Sequence, residues 1–180
     1  LARQRHDLPE EDTPTLKLSA QFLRNTWETC RDGLLAKTDR IHVCPEFSAT
    51  PRTFQFKIQR PFKSKLGPDA PVLVEPGPIQ GTIIYRRDLF LNFDEPSVAV
   101  VLDPYQHYFH PNYSRRHGLL CLGELPPGPF PLDVLIENHL FPILSYQNRR
   151  PAHPADLEAA RYFALDPDAM EGLEPVEPLY

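Results

Sequence analysis

Apolar and polar positions alternate with a changing period along the chain, and each change marks an element. Leu23, Trp27, Cys30 and Leu34 recur at spacings of four and three, so they share one face of an amphipathic helix expected over 16–37. Phe54, Phe56 and Ile58 then alternate with Gln55, Lys57 and Gln59. That period of two marks a half-buried strand, closed by Pro61. Residues 61–71 mix Lys, Gly, Asp and Pro and read as a surface loop. Short strand candidates follow at 72–74, 81–85 and 89–93, and the continuous apolar run 98–102 reads as a buried strand because it is too short for a helix.

An irregular stretch is expected from 103 to 131. A second helix should run over 132–146, with Leu132, Leu135, Ile136, Leu140, Ile143 and Leu144 as its apolar positions, and Pro142 should kink or divide it. A third is expected over 156–165, with Pro154 just ahead and Asp156 and Glu158 near its positive end. The fold class is therefore α+β: a four-stranded antiparallel meander flanked by helices, one domain over 15–165. Residues 1–14 are polar and charged with nothing to bury, and 166–180 hold acidic but no basic residues. Both are expected to be disordered, the second as an acidic flexible tail.

Composition narrows the function classes. Apolar residues make up 41 % and charged residues 24 % of the chain, ordinary for a soluble globular domain, and no apolar run approaches a membrane span. A net charge of -5 argues against a broad grip on nucleic acid, which needs clustered Lys and Arg. A protein partner fits better. Cys30, Cys44 and Cys121 form no CxxC pair, and an odd count suits a reducing, cytoplasmic setting rather than a disulfide framework. No secretory leader is legible, and a first residue of Leu rather than Met points to a trimmed chain. The 22 prolines, against roughly 5 % in ordinary chains, imply many rigid loops.

The chemistry concentrates in 107–123, His-Tyr-Phe-His-Pro-Asn-Tyr-Ser-Arg-Arg-His-Gly-Leu-Leu-Cys-Leu-Gly. His110-Pro111-Asn112 followed by Gly118-Leu119-Leu120-Cys121-Leu122 resembles the active-site signature of the ubiquitin-conjugating enzymes, where a His-Pro-Asn tripeptide precedes Gly-x-x-Cys-Leu. The resemblance covers roughly 16–165. It includes the element order and the passage from His153 to Tyr162, which looks like the family's Asp-Pro-x-x-x-Glu-x-x-x-Tyr segment. It implies that Cys121 carries the C-terminal acyl group of ubiquitin or a ubiquitin-like protein as a thioester. Partners would be an activating enzyme, the modifier, an acceptor protein and, where one is used, a ligase. No cofactor or metal is implied at this step.

Thiol chemistry suits such a carrier, because a thiolate accepts an acyl group from another thioester and the product stays reactive toward amines. The resemblance assigns Asn112 to stabilising the developing oxyanion, directly or by ordering its loop. His110 would organise that loop and Pro111 fix its turn. Cys30 and Cys44 are read as inert.

Three departures stand out. Nine positions (121 − 112) separate Asn112 from Cys121, one more than is usual in the family, so the 113–117 loop carries an insertion. A proline run, 126–131, replaces the family's Trp-Ser-Pro passage, with Phe130 as an aromatic substitute. His153 stands where the family often has an acid that orients or deprotonates the incoming lysine, and imidazole can accept a proton near neutral pH. These departures describe a divergent member, and a bacterial ubiquitin-like pathway of the kind encoded in defence operons is one setting for it. The competing readings are a non-catalytic modifier-binding module of the same fold, a zinc site using His107, His110, His117 and Cys121, and a cysteine hydrolase.

Overall fold

The computed structural model describes residues 13–48, 50–58, 63–65, 67–70, 73–74, 78–91, 93–103, 108–171, 173 and 179. Helix α1 spans Pro14–Asp32, with Pro in its first turn, where no intrahelical N–H is required. It ends earlier than the apolar spacing implies: Gly33 donates its N–H to the Thr29 carbonyl at 2.8 Å, and a short 3₁₀ turn, Leu35–Lys37, follows. Leu23, Cys30 and Leu34 are buried, and Trp27 is half-buried with its ring 5.9 Å from that of Phe54.

The strands are β1 Ile41–Pro45, β2 Thr53–Ile58, β3 Lys63–Ser64, β4 Leu73–Val74, β5 Ile79–Tyr85, β6 Val98–Leu102, β7 Tyr113–Ser114 and β8 Leu119–Leu120. Six form one antiparallel sheet in the order β1-β2-β5-β6-β8-β7, while β3 and β4 pair separately. The class is α+β, but the expected four-stranded meander is replaced by this larger sheet. Three of its first four members, β2, β5 and β6, fall on the strands expected at 54–58, 81–85 and 98–102, and the fourth is β1. Ile41–Pro45 was not foreseen as a strand; it pairs along its whole length with β2. The 89–93 candidate has a turn at 89–91 instead, Asn92 lying outside the described residues. Arg86 donates its N–H to the Ser97 carbonyl at 3.0 Å, and its guanidinium holds both Asp88 and Glu95. The intervening apolar residues therefore form a loop joining β5 to β6. The candidate at 72–74 keeps only Leu73–Val74, Val72 lying outside the described residues, and the expected loop at 61–71 contains β3.

Alternation sets the core. Phe54, Phe56 and Ile58 of β2, Ile79, Ile83 and Tyr85 of β5, and Val98, Val100 and Leu102 of β6 are all buried. Each large aliphatic among them contributes about 1.5–3 kcal/mol relative to exposure. Gly81 continues the β5 face because a Cβ there would meet the Val101 carbonyl at 2.4 Å and the Phe56 ring at 2.8 Å.

The second helix comes in three parts: α2 Leu132–Leu135, a π-helical segment Ile136–Leu140, and α3 Phe141–Leu144. Pro142 is the physical reason. It has no N–H, and its ring would clash with the carbonyl four residues back. The Phe141 N–H instead donates to the Ile136 carbonyl, five residues back, the wider ladder of a π turn. Helix α4 runs Leu157–Leu165 with Asp156 as its N-cap.

The described part of the acidic tail departs from a solvated segment. Ala169, Leu173 and Leu179 are buried, and the Thr38 hydroxyl donates to the Leu179 carbonyl at 2.7 Å. Residues 1–12, most of the expected disordered N-terminal segment, lie outside the described residues. Among those described, no helix is long and apolar enough to cross a membrane.

Candidate functional site

The stretch expected to be irregular, 103–131, contains the β7–β8 hairpin, and this hairpin places Asn112 opposite Cys121. Its register pairs Tyr113 with Leu120 and Ser114 with Leu119, so Asn112 and Cys121 meet one step further on. Cys121 donates its N–H to the Asn112 carbonyl at 2.6 Å. The hairpin turns at its far end, away from Asn112 and Cys121. There Ser114 accepts from the N–H groups of both His117 and Gly118, and Gly118 takes a positive φ of 69°, which glycine adopts without steric cost. The turn thus lies at the opposite end of the hairpin from the Asn112–Cys121 pairing.

The return bond of a regular ladder is replaced. The Asn112 N–H donates to His110 Nδ1 at 3.0 Å, and the Asn112 side-chain amide donates to the Cys121 carbonyl at 2.8 Å. Asn112 is fully buried, and its Oδ1 has no hydrogen-bond partner among the described residues. Because His110 Nδ1 accepts, the ring proton lies on Nε2. His110 is fully buried, stacked on Tyr108 with ring centroids 5.4 Å apart and tilted against Tyr146 at 5.0 Å. Burial, with a smaller contribution from the Arg149 charge, pushes its pKa down to about 3, so the ring is neutral at ordinary pH. A buried aromatic group steadies the preceding segment. The Tyr146 hydroxyl donates to the Phe109 carbonyl at 3.0 Å and accepts the Lys65 N–H at 3.1 Å.

Pro111 ties this loop to the next helix, its carbonyl accepting the N–H groups of Ala155 at 2.8 Å and Asp156 at 3.1 Å. Asp156 caps α4 through the N–H groups of Glu158 and Ala159. Its other oxygen accepts from Arg115 at 2.6 Å, and Arg115 also reaches Glu158. The hairpin tip and the start of α4 are thereby clamped together, and the loop before α4 brings the His153 carbonyl to the thiol. Cys121 Sγ is partly exposed and lies 3.7 Å from the His153 carbonyl. It is the backbone of His153 that contacts Cys121; the residue itself is exposed.

The other two thiols differ. Cys30 is fully buried beneath the sheet, and burial followed by the charges of Asp133 and Glu137 pushes its pKa up to about 12. Cys44 is exposed on edge strand β1. Among the described residues, no group of three or more His, Cys, Asp or Glu could hold a metal; His107 of the zinc alternative lies outside them.

Sequence reasoning missed two contributors. One is the Arg115–Asp156 clamp, since nothing local links residues so far apart in the chain. The other is His139, whose Nδ1 lies 3.1 Å from the Leu122 carbonyl. Pro142 was the available signal, because the π turn it imposes changes which way His139 faces.

No protein-family model matches the chain, and no curated protein matches it by sequence. Among solved structures, one described as "Novel Ubiquitin-Conjugating Enzyme" is similar over 88 % of this chain and 92 % of its own, at 18 % identity and a TM-score of 0.47. At that score the likeness assigns neither family nor activity.

Proposed function

We propose that this chain is a divergent carrier of the ubiquitin-conjugating type, holding a ubiquitin-like protein as a thioester on Cys121. The observation that carries the reading is the pairing of Asn112 with Cys121 across the β7–β8 hairpin, with the only partly exposed thiol of the three at its end. The Cys121 thiolate attacks the thioester carbonyl carbon of the donor. A new carbon–sulfur bond forms, and the activating enzyme's cysteine leaves as thiolate. The acceptor nucleophile then attacks the same carbon, Cys121 departs, and the acceptor's proton passes to solvent or a base.

Within this reading Asn112 acts by ordering the loop, since its amide is already engaged by the Cys121 carbonyl. His110 and Pro111 support it. The exposed position of His153, where the family often has an acid, favours transfer to a cysteine or another unusual acceptor over transfer to free lysine. Activating enzyme, modifier, acceptor and, where used, a ligase are the proposed partners, and the cytoplasm the proposed setting.

The complete burial of Asn112 also favours a second reading, a non-catalytic module of the same fold that only binds modifiers. Wild-type and Cys121→Ala proteins incubated with ATP and a conjugation-competent lysate of the source organism separate the two. The carrier gives an ATP-dependent, thiol-reducible adduct that the alanine variant lacks. Binding without any such adduct supports the module.

A further inference from the structure

We propose that His139 is a positioning residue for Cys121, acting through the backbone that leaves the thiol; this rests on Cys121 being the acyl-carrying atom. The backbone at and just after the cysteine is held at three polar atoms. The Cys121 N–H is held by the Asn112 carbonyl, the Cys121 carbonyl by the Asn112 amide, and the Leu122 carbonyl by His139. A carbonyl can only accept, so the last bond places the His139 proton on Nδ1.

The two sides of this restraint come from separate parts of the fold. Asn112 belongs to the hairpin, whereas His139 sits in the π-helical segment Ile136–Leu140. The π turn advances less about the helix axis per residue than an α turn does. The phase of His139 therefore depends on the distortion that Pro142 imposes. The Phe130 ring meets the imidazole edge-on, with centroids 5.2 Å apart and planes at 82°, and limits its rotation. Beyond Leu122 this restraint ends. Gly123 takes a positive φ of 81°, and nothing lies within 4 Å of where a Cβ would stand. His139 thus holds the backbone carbonyl of Leu122, whose side chain is buried in the core, immediately before the open position at Gly123. A nucleophile gains rate from being held near its attack geometry, so loosening its support should slow acyl transfer.

The test uses a Cys44→Ser background, which leaves Cys121 as the accessible thiol, and a short diglycine-ended peptide thioester as acyl donor. Cys121 thiolate attacks the peptide carbonyl carbon, and the small thiol of the donor leaves as thiolate. His139→Leu keeps bulk and removes the donor; His139→Asn restores an N–H at nearly the same reach. Ile83→Val, in the core of the sheet, serves as a variant destabilised without contact with the site. Transfer should slow about fivefold in the Leu variant, as expected for loss of one ordinary hydrogen bond. It should return to within about twofold of the parent in the Asn variant, and stay unchanged in Ile83→Val. Equal rates in the Leu variant and the parent would overturn the proposal, as would slowing that Asn does not rescue. If the parent accepts no peptide at residue 121, the carrier reading itself fails and the positioning role falls with it.

Discussion

Asn112 and Cys121 are joined twice across one hairpin, by a backbone bond of 2.6 Å and a side-chain bond of 2.8 Å. The asparagine amide substitutes for its own N–H, which His110 has taken. The motif is thus a closed chain of bonds from imidazole to asparagine to the cysteine backbone. Asn112→Ala removes the side-chain link and leaves the Cys121 carbonyl without its donor. It should cost about 1–2 kcal/mol in urea denaturation and slow acyl transfer to residue 121. A variant as stable and as fast as the parent would show that the amide is dispensable.

The three thiols should divide sharply. Brief treatment with iodoacetamide at neutral pH should label Cys121 and Cys44, which are accessible, and spare Cys30, which is buried with its pKa pushed up to about 12. Peptide mapping by mass spectrometry reads this directly. Labelling of Cys30 in the folded protein at the rate of the others would contradict the packing of α1 on the sheet.

His110 gives the fold a specific acid sensitivity. Its pKa falls from about 6.5 in the unfolded chain to about 3 when buried. Between those values the unfolded chain binds a proton that the native ring does not, so stability rises with pH. The contribution is full above about 6.5 and is lost toward 3, at up to about 1.4 kcal/mol per pH unit. Denaturant midpoints at pH 7 and pH 5 should differ less in His110→Asn than in the parent. Identical pH dependence in the two proteins would argue against a buried, neutral ring.

Gly81→Ala should destabilise by about 2 kcal/mol or more, because the new methyl would overlap backbone at Val101 as well as the Phe56 ring. Thermal or urea unfolding measures it. Asp156→Ala should cost about 1–2 kcal/mol through loss of the helix cap. Arg115→Ala should cost less, since that guanidinium is nearly half exposed and its ion pairs are screened.

Much of the fold was legible because periodicity reports burial directly. Phe54, Phe56 and Ile58 alternate and are buried; Leu132, Leu135 and Leu140 follow a helical pattern and are buried too. Pro142 divided its helix as its missing N–H requires. The errors came where tertiary bonds overrode local pattern. Leu91 and Phe93 are apolar yet exposed, because Arg86 gathers Asp88 and Glu95 and bends the segment into a loop. β1 was missed because only Ile41, His42 and Val43 alternate apolar and polar before Cys44 and Pro45, and pairing with β2 reveals it. At the site, the motif named Cys121, Asn112, His110, Pro111 and His153. It could not show that His153 meets the thiol through its carbonyl, nor that Asn112 faces the Cys121 backbone. The first is a relation between distant segments, set where the α4 cap meets the hairpin, and the second depends on the hairpin's register.

The most direct measurement of the carrier claim is a trap. Cys121→Ser protein, which would form a slower-breaking oxyester, is incubated with ATP and a lysate of the source organism shown to contain active conjugation enzymes. Adducts are then mapped by mass spectrometry. The carrier reading expects an ATP-dependent ester at residue 121 whose acyl part is the C-terminus of a ubiquitin-like protein. Absence of that ester, together with absence of a reducible conjugate on wild type in the same lysate, would contradict it.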